Sequence, residues 1–139
     1  MSQEIYVYIS KKDQTHLFFD GEGNELNSVF IDCWGRSSIL GSTVMEYLHN
    51  EEPVLVDSEL YYDIKEELDE ELKAAEDKLN IAREAFDKVS CKDSDAFWGL
   101  VDEIGDYDRD RRDYAEAVYA WSFIRRHMEN ANVWFVYSY

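Results

Sequence analysis

Between Asp63 and Glu71 the chain reads DIKEELDEE, six carboxylates in nine residues against one lysine, Lys65. Asp63, Glu66 and Glu70 fall at spacings of three and four, and Glu67 and Glu71 repeat the pattern beside them. On a helix such spacings bring side chains onto one face a turn apart, where each like-charge pair costs about 0.2–0.5 kcal/mol. A second row follows in Asp102, Asp106, Asp110 and Asp113, at spacings of four, four and three. Carboxylates in such numbers could hold a metal, work in acid–base pairs, or meet a cationic partner. A solvated helix face is the ordinary alternative.

The first two chemistries lack their patterns. DYDRDRRD (106–113) places acids at alternate positions, as calcium loops do. It has no glycine at the sixth place and Ala117 where the twelfth-place glutamate belongs. DGEGNEL (20–26) fails the same comparison, with Ile31 at that place, and reads instead as a hairpin turn. His16, His49 and His127 share no ligand spacing with each other or with Cys33 and Cys91. No nucleophile motif, GxxxxGK[ST] or GxGxxG is present, and paired acids are too abundant for any pair to stand out. The expectation is a protein that is not an enzyme and needs no cofactor and no metal.

The elements that must position the acids are legible from periodicity. EIYVYIS (4–10) alternates Ile5, Val7 and Ile9 with Tyr6, Tyr8 and Ser10, the period of a strand. THLFFD (15–20) and ELNSVFIDCWG (25–35) read as strands flanking the DGEGN turn. A short helix is expected over 42–50 with Ser42 as its cap, and EEPVLVD (51–57) as a connector or edge strand. From Leu68 through Leu72, Ala75, Leu79, Ala82 and Phe86 to Val89, apolar residues recur every four and three positions. SCKDSD (90–95) interrupts this helix, with Ser94 or Asp95 as cap of the next. The second stripe runs through Leu100, Ile104, Tyr107, Arg111, Tyr114, Val118, Trp121, Arg125 and Met128. Folded back antiparallel, Phe86 meets Phe97, small Ala75 faces large Tyr107, and Arg111 lies near Asp69 and Glu76, where a buried arginine would fix register. NVWFVYSY (132–139) reads as a last strand. The fold class is therefore α+β in one domain spanning 1–139. A small, mostly antiparallel sheet comes from both chain ends (4–35 and 132–139), with a long helical hairpin at 58–130, its helices about 58–90 and 94–130.

Composition bounds the partner. The 139 residues carry 31 acids and 14 bases, a net charge of −17, yet 45% of them are hydrophobic, enough to build a core. Residues 57–116 hold 21 acids and nine bases, so 12 of the 17 net charges belong to the hairpin. Nucleic-acid backbones and anionic membranes are disfavoured as direct partners, because both call for clustered Lys and Arg. A basic protein is the complement. Two cysteines in no motif fit a reducing compartment, and neither a signal peptide nor a membrane span is evident, so a cytoplasmic location is expected.

The two carboxylate rows resemble, in charge pattern alone, the acidic surfaces of phage proteins that mimic DNA. That resemblance implies a basic, nucleic-acid-handling enzyme as partner, as in anti-restriction or anti-CRISPR inhibition. Asp63, Glu66, Glu67, Glu70, Glu71, Asp102, Asp106 and Asp110 are the expected contact residues. An immunity protein neutralising a basic toxin shares these electrostatics. A third class is a small-ligand or structural domain that uses the aromatic strands, the acids serving only solubility, with Tyr6, Tyr8 and Trp134 as interface residues; if that face is exposed, a homodimer is expected.

Overall fold

The computed structural model describes residues 3–48 and 52–138. Four strands, β1 (Glu4–Ser10), β2 (Ser28–Gly35), β3 (Val54–Leu55) and β4 (Asn132–Ser138), form one sheet in the order β2-β1-β4-β3. Every neighbouring pair is antiparallel, so both chain ends build the sheet as the alternating patterns require. Between them lie three helices, α1 (Ile39–Met45), α2 (Ser58–Lys88) and α3 (Ser94–Asn130).

Packing gathers into two compact units, Met1–Lys65 with Tyr119–Tyr139, and Glu66–Val118. In the sheet-bearing unit, register puts Ile5 opposite Tyr137, Val7 opposite Phe135 and Ile9 opposite Val133. Alternation then sends these residues to one face, where Ile5, Val7, Val133 and Phe135 are wholly buried. Trp121 anchors this core. Its ring stacks on Tyr61 at 5.3 Å and lies 5.8 Å from Phe135 and 6.1 Å from Trp34. Its indole N–H donates to the Tyr61 carbonyl at 3.2 Å, which satisfies the one polar atom a buried tryptophan brings.

Two local expectations are corrected. The strand over 15–20 shrinks to a single bridge between Phe19 and Glu25. Side chains take the donors that a ladder would use: Asp20 Oδ1 accepts from the amides of Glu22 and Asn24 at 2.8 Å each, and Asn27 Oδ1 accepts from the Phe18 amide at 2.9 Å. Gly23, at φ 86°, closes the turn. The first helix starts earlier than 42, because Ser38 rather than Ser42 caps it, accepting from the Gly41 amide at 2.9 Å. Gly41 is required there, since a methyl group at this position would run into the Gly35 carbonyl. The expected end of that helix, at 49–50, and Glu51 of the connector lie outside the described residues.

Aspartates cap both long helices, and for α3 the cap falls one residue before the expected Ser94. Asp57 precedes α2 and accepts from the Leu60 amide at 2.8 Å, and Asp93 does the same for Ala96 at 3.2 Å before α3. In the unit Glu66–Val118 the two helices run antiparallel. Phe86 meets Phe97 at 5.3 Å near the turn, and Tyr114 meets Glu71 at the other end. Its seam is narrow: Leu68, Ala75, Leu79, Ala82 and Ala117 are its buried apolar residues.

Candidate acidic surface

The acids are best described unit by unit. Asp63 belongs to the sheet-bearing unit, is exposed, and presents its main-chain carbonyl to the Tyr47 hydroxyl at 3.5 Å. The other seven expected contact residues all lie in the unit Glu66–Val118, which holds 18 acids and eight bases, ten of the 17 net negative charges.

Their environments differ. Glu66, Glu70, Asp102 and Asp110 are exposed. Among the described residues their carboxylates make no ion pair or hydrogen bond, and the same holds for Asp113. Asp106 is neutralised in place by Arg109 at 3.1 Å. Glu67 is half-buried and engaged by neighbouring groups. Glu71 is half-buried and lines a cleft with Tyr114 of the facing helix, whose hydroxyl feels its charge.

The arginines of 106–113 are spent along their own helix. Arg111 donates to Asp108 from Nη2 at 2.9 Å and from Nε at 3.3 Å, and Arg112 lies 3.4 Å from the same carboxylate. The Arg111 bond, joined by the charges of Arg111, Arg112 and Arg83, holds the Asp108 carboxyl below its ordinary range. The Arg111 side chain is 33% exposed, so it is no buried register pin; its length lets it curl back one turn. Likewise Lys73 sits 3.8 Å from Asp77, whereas Glu84 and Lys88 are not within ion-pair distance. Among the described residues no group of three or more His, Cys, Asp or Glu is arranged to hold a metal ion.

Two of the expected residues come together. Glu71 and Asp110 line a cleft of about 190 Å³ with Ala74, Ala75, Lys78, Tyr107 and Tyr114. Burial raises the Tyr114 hydroxyl above its ordinary value, and the Glu71 and Asp110 charges push it the same way. The pairing of small Ala75 with large Tyr107 is legible from the heptads. What spacing alone does not reveal is that two alanines in succession leave the space unfilled.

The aromatic face of the sheet is less open than its sequence suggests. Tyr8 packs edge-on against Phe19 at 5.5 Å and Phe30 at 5.8 Å, and Tyr6 tilts onto Phe30 at 6.1 Å. Both tyrosines are half-buried. Trp134 is corrected as an interface residue: it is 4% exposed, and its indole N–H donates to Ser10 Oγ at 2.8 Å. Exposed apolar surface lies nearby instead, at Phe18, Leu26, Val29 and Phe30. Leu26 and Val29 border a cavity of about 600 Å³ together with Ile9, Gln14 and Asn27.

Sequence reasoning also passed over Trp98, which is 61% exposed on α3 one turn before Asp102. Trp98 lies off the apolar stripe of α3, beside Phe97, so it gives no periodic signal.

Comparison with protein-family models, curated proteins and solved structures finds no match. Function therefore rests on this chain's own chemistry. No helix among the described residues is long and apolar enough to cross a membrane.

Proposed function

We propose that this protein is a non-enzymatic inhibitor that occupies the basic site of a nucleic-acid-handling enzyme, with helix carboxylates in the place of phosphates. The observation that carries this reading is unpaired charge. Glu66, Glu70, Asp102 and Asp110 are exposed and unneutralised, although Lys78, Arg83, Lys88 and Lys92 of the same unit make no ion pair among the described residues. A helix whose acids served only solubility would gain by interleaving them with those bases, as Asp106 and Asp108 already do. Carboxylates one helical turn apart, about 5.4 Å, give a periodic anionic track for Lys and Arg. Anti-defence proteins of phages and mobile elements are the natural setting for such an inhibitor, acting in the cytoplasm.

Salt-dependent capture tests this. The immobilised protein should retain a DNA- or RNA-binding enzyme from host lysate at low ionic strength and release it at high. The triple reversal Glu66→Lys, Glu70→Lys, Asp102→Lys should retain nothing while remaining folded. Undiminished capture by the reversed protein would remove the carboxylates from the interface.

One observation favours a second reading, the immunity protein of a basic toxin. Exposed Trp98 beside Asp102 has the make-up of a hot spot, an aromatic anchor with charge at its rim. Trp98→Ala should then abolish binding of a single cognate toxin, whereas on the leading reading it should change affinity little.

A further inference from the structure

The cleft on the hairpin unit differs from the rest of the acidic surface in being concave and partly aromatic. We infer that the cleft between Glu71, Ala74, Ala75, Tyr107, Asp110 and Tyr114 is a socket for one arginine side chain of the basic partner. This deepens the function proposed above and rests on it.

The argument starts from volume. About 190 Å³ suits a single extended side chain and is too small for a nucleotide or a cofactor. Ala74 and Ala75 supply the space, since any longer residue at these places would close it. The chemistry of the lining then selects the guest. Two tyrosines and two carboxylates line it from opposite helices, and aromatic rings and carboxylates both attract cations. Asp110 has no hydrogen-bond or ion-pair partner among the described residues. Glu71 lines the cleft from the helix facing Tyr114, and its charge acts on the Tyr114 hydroxyl. Lys78 also lines the cleft, so the lining as a whole carries one net negative charge, and a neutral or anionic guest gains nothing there. A guanidinium fits better than an ammonium, because it is planar, stacks on rings and presents paired donors to carboxylates. The remaining exposed acids would steer the partner, while this cleft would hold it.

The probe is a short peptide of alternating arginine and glycine, with lysine and citrulline versions, titrated into the full chain by calorimetry and by aromatic NMR. The arginine peptide should bind at least tenfold more tightly than the lysine peptide. It should shift the ring resonances of Tyr107 and Tyr114, and citrulline should not bind. Ala74→Phe, at an exposed position, fills the cleft without altering any charge, and should weaken the arginine peptide at least tenfold. The triple reversal of Glu66, Glu70 and Asp102, all outside the lining, separates the two readings. If that variant loses affinity while Ala74→Phe does not, the charged surface stands and the socket is overturned. If the arginine peptide does not bind the parent at low salt, both fall. Should Ala74→Phe misfold, the ring shifts of the unmodified protein still decide: unmoved tyrosines on saturation contradict the socket.

Discussion

Tyr114 and Glu71, which line one cleft from facing helices, are the most directly testable pairing of the two acidic rows. Burial first, and then the carboxylate, favour the protonated phenol in the fold. Its folded value therefore lies above the ordinary 10.0. Its contribution to stability is fully present below that ordinary value and is lost as pH rises through the raised one. Glu71→Gln removes the charge but not the burial. In an alkaline NMR titration Tyr114 should then ionise at lower pH than in the parent, yet still above 10.0; an unchanged midpoint would show that Glu71 does not touch it. Asp20 has the opposite sign. Hydrogen bonds from Asn24, main chain and side chain, with those from Glu22 and Gly23, hold its carboxyl below the ordinary 3.8. The order it gives the 20–24 turn is present above that value and is lost as pH falls through the depressed one. Amide exchange at Glu22 and Asn24 should accelerate at the acid end, and Asp20→Ala should show the same exchange already at neutral pH. At this scale the sequence revealed residue types better than partners. Alternation placed Trp134 opposite Phe135, but not the Ser10 hydroxyl that receives its N–H. Arg111 sat on the seam stripe, yet a flexible side chain reaches Asp108 on its own helix more cheaply than a carboxylate across the seam.

Within the sheet-bearing unit, Tyr61 of α2 and Trp121 of α3 pack among the aromatic residues of the sheet. Trp121 touches Tyr61, Trp34 and Phe135, so Trp121→Ala should cost about 3–5 kcal/mol, measurable as a lower urea midpoint with circular dichroism as readout. A loss under 1 kcal/mol would mean that this aromatic cluster does not carry the core of the sheet-bearing unit. The helices themselves were legible because apolar residues kept four-three spacing through Leu68, Leu79 and Phe86, and because Pro and Gly are absent from 58–90. The last strand was legible from its β-branched and aromatic run. The 15–20 strand was misread for a physical reason: His16, Phe18 and Asp20 alternate suitably with their neighbours, but Asn27 and Asp20 capture the backbone donors locally. β2 shows a related departure. Its register slips between Val7 and Tyr8, leaving Ile31 as an extra residue, and no alternation pattern marks a bulge beforehand.

The whole molecule carries −17, and that charge opposes its own compactness. Thermal stability should consequently rise as sodium chloride is added, because screening relieves repulsion among the exposed acids. The rise should be smaller in the triple reversal of Glu66, Glu70 and Asp102, which should itself melt at or above the parent's temperature. A parent whose melting temperature ignores salt would show that the rows do not repel appreciably. The sequence made the size and sign of this field plain, but not which acids remain free. Arg109 and Arg112 could each have neutralised several neighbours, and only geometry assigned them to Asp106 and Asp108. Charge that could be compensated and is not is the basis for the function proposed here. The most direct measurement is a competition: the captured enzyme, bound to labelled duplex DNA, is titrated with the parent protein and with the triple reversal. Displacement of DNA by the parent, weakening steeply with salt and absent in the reversal, is the predicted result. Binding of the parent without displacement of DNA would contradict the claim that its carboxylates stand where phosphates do.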